Sequence, residues 1–378
     1  MIKKIFIYRL HIPFQFQIAH NLAKRKTSES ILVILEDDSG VTGCGEGAPR
    51  DYVTGETIIE GISKAEILVN KLPSLNFKSI TLFLNSLNKI GQSDIAVSSP
   101  SVWCAFETAC LDLYSKLKNI PLWNLFTNTI DHFTFEYSAV IPLLPIDSQK
   151  AIFDLISKNK IQQIKLKVDS VETGVEQVRY AREKLGEKVD IRVDANAAFT
   201  TSQTIDFLEK VRTYSISALE QPVGKNDLNA FKKIKSNCNE VLIFADESIN
   251  TFEDAKALIN ADACHGFNIR LSKCGGLTNC FKLCQMAKKN NIYYQIGCHV
   301  GESNILSALG RHLALLCPNY LYLEGSFSKY ILIDDITNEE ISFSYRGTAD
   351  QLTGPGLGVS INFDKINKWT ELQHKIVL

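Results

Sequence analysis

IQQIKLKV, residues 161–168, sets Lys165 and Lys167 two apart inside an apolar run. In a β-strand, residues two apart share a face. Two ammonium groups on one buried face depress each other's pKa, and the expected product is a neutral lysine able to accept a proton near neutral pH. From Lys167 onward an ionisable residue closes each apolar run: Asp194 in DIRVDAN, Glu220 in SALEQP, Asp246 in VLIFADES and Lys273 in FNIRLSK. The steps are 27, 26, 26 and 27 residues, and each interval holds a polar, helix-like segment long enough for a crossover. One βα unit per step predicts a parallel barrel, whose successive strand ends converge on one mouth. Two lysines then flank three carboxylates.

The same texture runs outward from this core. Strands are expected near 134–141, 162–168, 189–194, 216–220, 241–245, 265–270, 293–297 and 320–323, with amphipathic helices such as VETGVEQVRYAREKLG between them. Upstream, residues 1–12 and 30–44 alternate like strands, ILVILEDDSGVTGCGE reads as a hairpin turning at Asp38-Ser39-Gly40, and NLAKRKTSES reads as a polar loop. Residues 55–120 carry helical periodicity, as in SVWCAFETACLDLYSKLKN. Downstream, LTGPGLGV is a turn cluster ahead of strand-like segments that do not continue the repeat. The expected organisation is α/β: an α+β capping domain over 1–128, a catalytic barrel over 129–327, and a segment over 328–378 that packs back on the cap.

Composition removes several alternatives. A net charge of −1 argues against a nucleic-acid or membrane-surface role, and 45% hydrophobic residues are enough for an ordinary globular core. The opening stretch MIKKIFIYRLHIPF is interrupted by Tyr8, Arg9 and His11, so neither an export signal nor a membrane span is expected. Ten cysteines without a CxxC pair read as reduced thiols in a cytoplasmic protein. Cys280 and Cys284, four apart on a helix-like stretch, find no further ligand for a tetrahedral site.

Three converging carboxylates make an all-oxygen set suited to Mg²⁺, with Mn²⁺ as a substitute, and without a cation they would repel and protonate. Lys167 and Lys273 belong to the second and sixth of eight strands, on opposite sides of the ring. A carbon held between them can lose a proton to one lysine and regain one from the other on the opposite face. That is a 1,1-proton transfer with inversion through an enediolate.

KLK, DAN, EQP, DES and the lysine of LSKCGG together resemble the enolase superfamily in its muconate-lactonising subgroup, and within it the dipeptide epimerases. Lysine or histidine bases with Mg²⁺ and an enediolate are the known pattern of that superfamily. The resemblance covers nearly the whole chain, PGLGV being similar to the family's usual ending. It implies a TIM-like (β/α)7β barrel with an N-terminal capping domain completed by the C-terminal segment. It also implies Asp194, Glu220 and Asp246 as metal ligands, Lys167 and Lys273 as the acid/base pair, and Lys165 polarising the substrate carboxylate.

Dipeptide epimerases of this group carry an Asp-x-Asp after the eighth strand that binds the substrate's ammonium group. Tyr322-Leu323-Glu324 stand there in this chain, leaving Glu324 to pair with that group. In the cap loop, Lys24, Arg25 and Lys26 favour an acidic second residue. Ser138 on the first strand and Cys298 after the seventh line the pocket by position, and His299 reads as structural. The expected activity is Mg²⁺-dependent epimerisation of a small-molecule dipeptide, L-Ala-D/L-Glu foremost, with no nucleic-acid or membrane partner and a homo-oligomer allowed. A lyase of the o-succinylbenzoate synthase type, which GCHVGES resembles, and a muconate-type cycloisomerase share the same five residues. A non-catalytic metal-binding barrel would not need the lysines.

Overall fold

Alternating apolar positions at the start of the chain build an antiparallel sheet of β1 (Ile2–His20), β2 (Ala23–Asp37) and β3 (Thr42–Gly47). The computed structural model describes residues 2–20, 23–127, 132–144, 146–238 and 240–378. The β2–β3 turn is where the sequence puts it: Asp37 Oδ1 accepts from the backbone of Ser39 at 3.0 Å and Val41 at 2.9 Å, and Gly40 adopts φ +85°. The expected polar loop at NLAKRKTSES is instead largely strand. Arg25 pairs with Ile18 and Lys24 with Ala19, after a register shift beyond Pro13. Ser28 and Ser30 are buried while Glu29 between them is not, so a polar segment meets the two-residue period without apolar residues.

Helix Pro100–Leu117 lies directly on β3. A Cβ on Gly43, Gly45 or Gly47 would come within 2.3, 2.1 and 1.9 Å of the carbonyl oxygens of Ala109, Ala105 and Ser101. Glycine at alternate positions is what lets a helix backbone sit on that strand.

The expected first barrel strand, 134–141, divides in two. β4 (Thr134–Glu136) leaves the barrel, and β5 (Ala139–Ile141) begins it. The parallel sheet continues in chain order through β6 (Gln163–Lys167), β7 (Asp190–Asp194), β8 (Ala218–Glu220), β9 (Leu242–Ala245), β10 (Gly266–Arg270), β11 (Tyr293–Gly297) and β12 (Tyr322–Leu323). Ser138 N–H donates to Leu323 O at 2.8 Å and joins the eighth strand to the first. Among the described residues seven helices, from Ile146–Lys158 to Asn304–Leu316, occupy the intervals, giving the (β/α)7β barrel.

β13 (Thr348–Asp350) pairs with β4, and β14 (Thr370–Val377) pairs with β1, completing the cap sheet as its fourth strand. The glycine-rich cluster docks on the cap helix, with Leu357 N–H donating to Asp112 Oδ1 at 2.8 Å. The expected boundary at 128/129 falls among residues 128–131, outside the described residues. No helix among the described residues is long and apolar enough to cross a membrane, and all ten cysteines are free thiols.

Along the barrel strands Ile164, Leu166, Ile191, Val193, Leu219 and Ile269 are fully buried in the main core. The alternate positions, Lys165, Arg192, Glu220, Asn268 and Gln295, hydrogen-bond across the barrel interior. Ala218, Phe244 and Tyr322 form a small separate apolar cluster inside the ring, and a Cβ at Gly266 would lie 2.4 Å from the Phe244 ring. The inside of this barrel is thus mostly charge above a small apolar floor.

Candidate active site

Strand register assembles the site. Lys167 is the direct partner of Asp194, and Asp194 of Glu220, on three neighbouring strands. Asp246 follows β9 by one residue and Lys273 follows β10 by three. Asp194, Asp246 and Lys273 are fully buried, Glu220 is 3% exposed, and Lys167 is the most open of the five at 9%.

The five converge through short contacts. Lys167 Nζ lies 2.9 Å from Asp194 Oδ2 and 2.7 Å from Asn196 Oδ1. Lys273 Nζ donates to Asp246 Oδ1 at 2.9 Å, Asp246 O at 2.5 Å and Asn268 O at 2.9 Å. Lys165 Nζ sits 3.0 Å from Glu220 Oε2 and 2.9 Å from Glu324 Oε2. Arg270 pairs with Asp246 and reaches Glu220 Oε1 at 3.5 Å.

Several of these partners extend the expected set: Arg270, Arg192, Asn196, Glu247, Asn268 and Gln295. Arg192 precedes Asp194 by two residues in DIRVD, as Lys165 precedes Lys167, so the same two-residue period marks it. Asn196 and Glu247 stand inside the DAN and DES motifs themselves. Nothing in the local sequence marks Asn268 or Gln295, which become informative only when the barrel brings them to Glu220.

Five buried carboxylates (Asp194, Glu220, Asp246, Glu247, Glu324) therefore face five buried cations (Lys165, Lys167, Arg192, Arg270, Lys273). Burial pulls the Lys165 ammonium down, but Glu220, Glu324 and Asp194 outweigh it, and its pKa lies above the ordinary lysine value. The neutral lysine expected from the Lys165–Lys167 pairing is thus not found at Lys165, because acids on the third, fourth and eighth strands outweigh its burial. Burial likewise pushes Glu220 up, yet Lys165 and Arg270 hold it well below the carboxylate range. At Asp246 burial wins over Arg270 and Lys273, and the pKa is raised. Glu247 is pushed up to about 8 by burial, then by Asp246 and Asp194.

Glu247 Oε1 accepts from Asn196 Nδ2 at 3.0 Å, while its Oε2 is buried without a partner. An orphaned carboxylate oxygen and two acids driven toward their neutral forms mark a spot short of positive charge. The carboxylate oxygens gathered there are of the kind that could hold a hard divalent cation such as Mg²⁺, and in this structure Asp194, Glu220 and Asp246 are spread wider than one metal-sized cluster.

The residues expected to set specificity divide. Glu324, expected to receive a substrate ammonium group, has Oε2 on Lys165 and Oε1 on Arg192 at 3.0 Å, so both oxygens are engaged within the barrel. Tyr322 lies on the apolar floor with the Arg192 guanidinium 4.0 Å from its ring centroid. Ser138, expected to line the pocket at the end of the first strand, is fully buried and precedes that strand, its hydroxyl 3.1 Å from Gln163 Oε1 at the start of β6. The cause is the departure of β4, which moves the start of the first strand to Ala139.

Cys298 is part-exposed after β11. His299 is buried and held neutral, its pKa far below the usual value through burial and then the fields of Arg270, Arg50, Lys273 and Arg25. The Arg25 guanidinium lies 5.6 Å from the Tyr52 ring centroid and Lys26 is exposed. The Lys24 side chain lies outside the described residues. A cavity of about 410 Å³ reaches Lys167 from the side of Ala139, Val140, Val300 and Phe327.

Comparison with known proteins agrees with this arrangement. Residues 149–365, more than half of the chain, match the model of the enolase C-terminal domain-like family. A hydrophobic dipeptide epimerase of Enterococcus faecalis is 28% identical over 319 residues, covering 84% of this chain and 88% of that one. An N-succinyl-L-Arg/Lys racemase of Bacillus cereus is 28% identical over 387 aligned residues, covering 98% of each. The crystal structure of a dipeptide epimerase from Cytophaga hutchinsonii, complexed with Mg and D-Ala-L-Val, superposes with a TM-score of 0.90 at 25% identity over the full length of both chains.

Proposed function

The chain belongs to the enolase C-terminal domain-like family, and from that premise we propose that it is a Mg²⁺-dependent epimerase inverting the α-carbon of an amide-linked amino acid, a dipeptide in the first instance. The observation that carries this reading is the placing of two lysines at the ends of the second and sixth strands, on either side of three buried carboxylates. Asp194, Glu220 and Asp246 would hold the cation, which supplies positive charge where the substrate carboxylate becomes electron-rich. Lys165, kept charged by its two acids, would add a second positive contact to that carboxylate. Lys167 as the free amine takes the α-proton and becomes an ammonium, while the Lys273 ammonium gives its proton to the opposite face and becomes the amine. The carbon is inverted and the two lysines have exchanged protonation states, ready for the reverse passage.

For the side chain on that carbon, the cationic cap favours a carboxylate, as in L-Ala-D/L-Glu. Arg25 is the cap cation we assign to it, its guanidinium standing 5.6 Å from the Tyr52 ring centroid. The test is α-proton exchange in D₂O across a panel of dipeptides and N-acyl amino acids with Mg²⁺ present. Deuterium should enter at the α-carbon of both epimers, and Lys167→Ala and Lys273→Ala should each lower net epimerisation about 1,000-fold while leaving the fold intact. No exchange with any member of the panel, or wild-type rates in either variant, would sink the reading.

A further inference from the structure

Arg50 carries a buried positive charge that the proton transfer does not use. It is 2% exposed, at the seam between cap and barrel, and its guanidinium meets carbonyl oxygens. Nη1 donates to Glu29 O at 2.9 Å and Pro49 O at 2.7 Å, and Nη2 donates to Val300 O at 3.2 Å. Among the described residues no carboxylate pairs with it. The two acids whose fields reach it are engaged elsewhere, Glu46 with the Ser303 hydroxyl at 2.6 Å and Glu302 with the His299 N–H at 2.6 Å. Burying such a charge is costly, and an apolar side chain of similar volume would fill the seam at lower cost. What the guanidinium alone supplies is a rigid fork that reaches several chain segments at once.

Those segments are the ones that carry the cap over the barrel. Glu29 lies on β2, four residues along the same strand from Arg25. Val300 follows β11, and its neighbour Gly301 accepts from the Ser28 hydroxyl at 2.6 Å, so Arg50 doubles the tie between β2 and this barrel loop. The backbone carbonyl of Arg50 accepts from the N–H groups of Val53 at 3.0 Å and Thr54 at 2.9 Å, closing the helical turn Asp51–Thr54 that bears Tyr52. The Tyr52 ring in turn faces the Arg25 guanidinium, 5.6 Å from its centroid. One residue thus sets the strand of Arg25, the turn of Tyr52 and the barrel loop in fixed relation.

We propose that Arg50 is a positioning residue that acts through Arg25, fixing where that guanidinium stands over the mouth and thereby the preference for an acidic side chain. This rests on the epimerase reading and on Arg25 as the cap cation. The experiment measures kcat and KM by α-proton exchange in D₂O with Mg²⁺, for L-Ala-L-Glu and L-Ala-L-Leu. It uses the wild type, Arg50→Met, Arg50→Lys, Arg25→Gln and the double variant of Arg25→Gln with Arg50→Met. On L-Ala-L-Glu, Arg50→Met and Arg25→Gln should each lose about 30-fold in kcat/KM, mainly through KM, the scale of losing one charged contact to a carboxylate. The double variant should lose little more than either, because both changes remove the same contact. On L-Ala-L-Leu, which has no side-chain carboxylate, each loss should be about tenfold smaller, and that retained turnover shows the variants to be folded. Arg50→Lys keeps the charge without the fork and should fall with Arg50→Met. Equal losses on the two substrates overturn this proposal, as do losses that multiply to about 1,000-fold in the double variant. Wild-type rates in Arg50→Lys, or no loss on L-Ala-L-Glu in Arg25→Gln, overturn it as well, and all four results leave the epimerase reading standing. No exchange by the wild type with either dipeptide overturns both.

Discussion

Glu220 accepts from several neighbours at once: Lys165 at 3.0 Å, Asn268 at 2.7 Å, Gln295 at 2.6 Å and, more distantly, Arg270. Its carboxylate is the counter-charge for two buried cations, so Glu220→Gln should cost about 3–5 kcal/mol of stability even without metal. Asp194→Asn should cost less, because Lys167 keeps Asn196 Oδ1 at 2.7 Å and is the most open of the group. Urea denaturation in excess chelator gives the ranking, and equal midpoints for the two variants would contradict it. At this scale the two-residue period of IKLK and DIRVD made Lys165, Lys167 and Asp194 legible, and by the same rule Arg192. The state of Lys165 was not legible, because Glu220 and Glu324 reach it from positions 55 and 159 residues away. The same holds for Glu324, whose acidity is plain in the sequence and whose two cationic partners are not.

Between elements, the contact of cap helix Pro100–Leu117 with barrel helix Leu277–Lys289 carries its own titration. Glu107 Oε2 accepts from Thr278 N at 3.3 Å at the start of the barrel helix, and burial pushes its carboxyl up to about 7. The folded chain therefore holds this proton more tightly than the unfolded chain, in which Glu titrates near ~4.3. Its contribution to stability is fully present below the unfolded value and is lost as pH rises through about 7. The wild type should lose roughly 2 kcal/mol more than Glu107→Gln between about pH 5.5 and about pH 8.5. Parallel denaturant curves at the two pH values check this, and identical pH slopes would refute it.

The second to sixth barrel strands are legible as elements because each joins an apolar run to an ionisable end. The first strand was misjudged because β4, alternating like its neighbour, pairs with Thr348–Asp350 far downstream. The strand character of the Arg25 region was hidden because its inward positions are serines, which carry no apolar signal.

For the molecule as a whole, the five buried cations of the site offset most of the charge of its five buried acids and leave a shortfall beside Glu247, so the fold is expected to form without a metal. Chelator should abolish turnover, Mg²⁺ or Mn²⁺ should restore it, and the metal-free chain should still unfold in one cooperative step. Turnover in excess chelator would end the metal reading, and loss of cooperative unfolding would show that the fold needs the metal. The cap is tied to the barrel beside the site itself. Ala48 N–H donates to Ser272 Oγ at 2.8 Å, next to Lys273, and Ser28 Oγ donates to Gly301 O at 2.6 Å. The regular beat of strand ends made the barrel and its mouth readable in one dimension. These ties, and the cavity beside Lys167, join distant segments that share no local pattern.

The pairing of β1 with β14 sets Lys4 beside Val377 and Ile5 beside Ile376. Each βα unit of the barrel can be assembled from segments close together in sequence, whereas this pairing must close a loop that spans almost the entire chain. That pairing is the longest loop closure of the fold and is expected to be its slowest contact to form, so in a refolding experiment activity should return with the docking of Thr370–Val377 on β1.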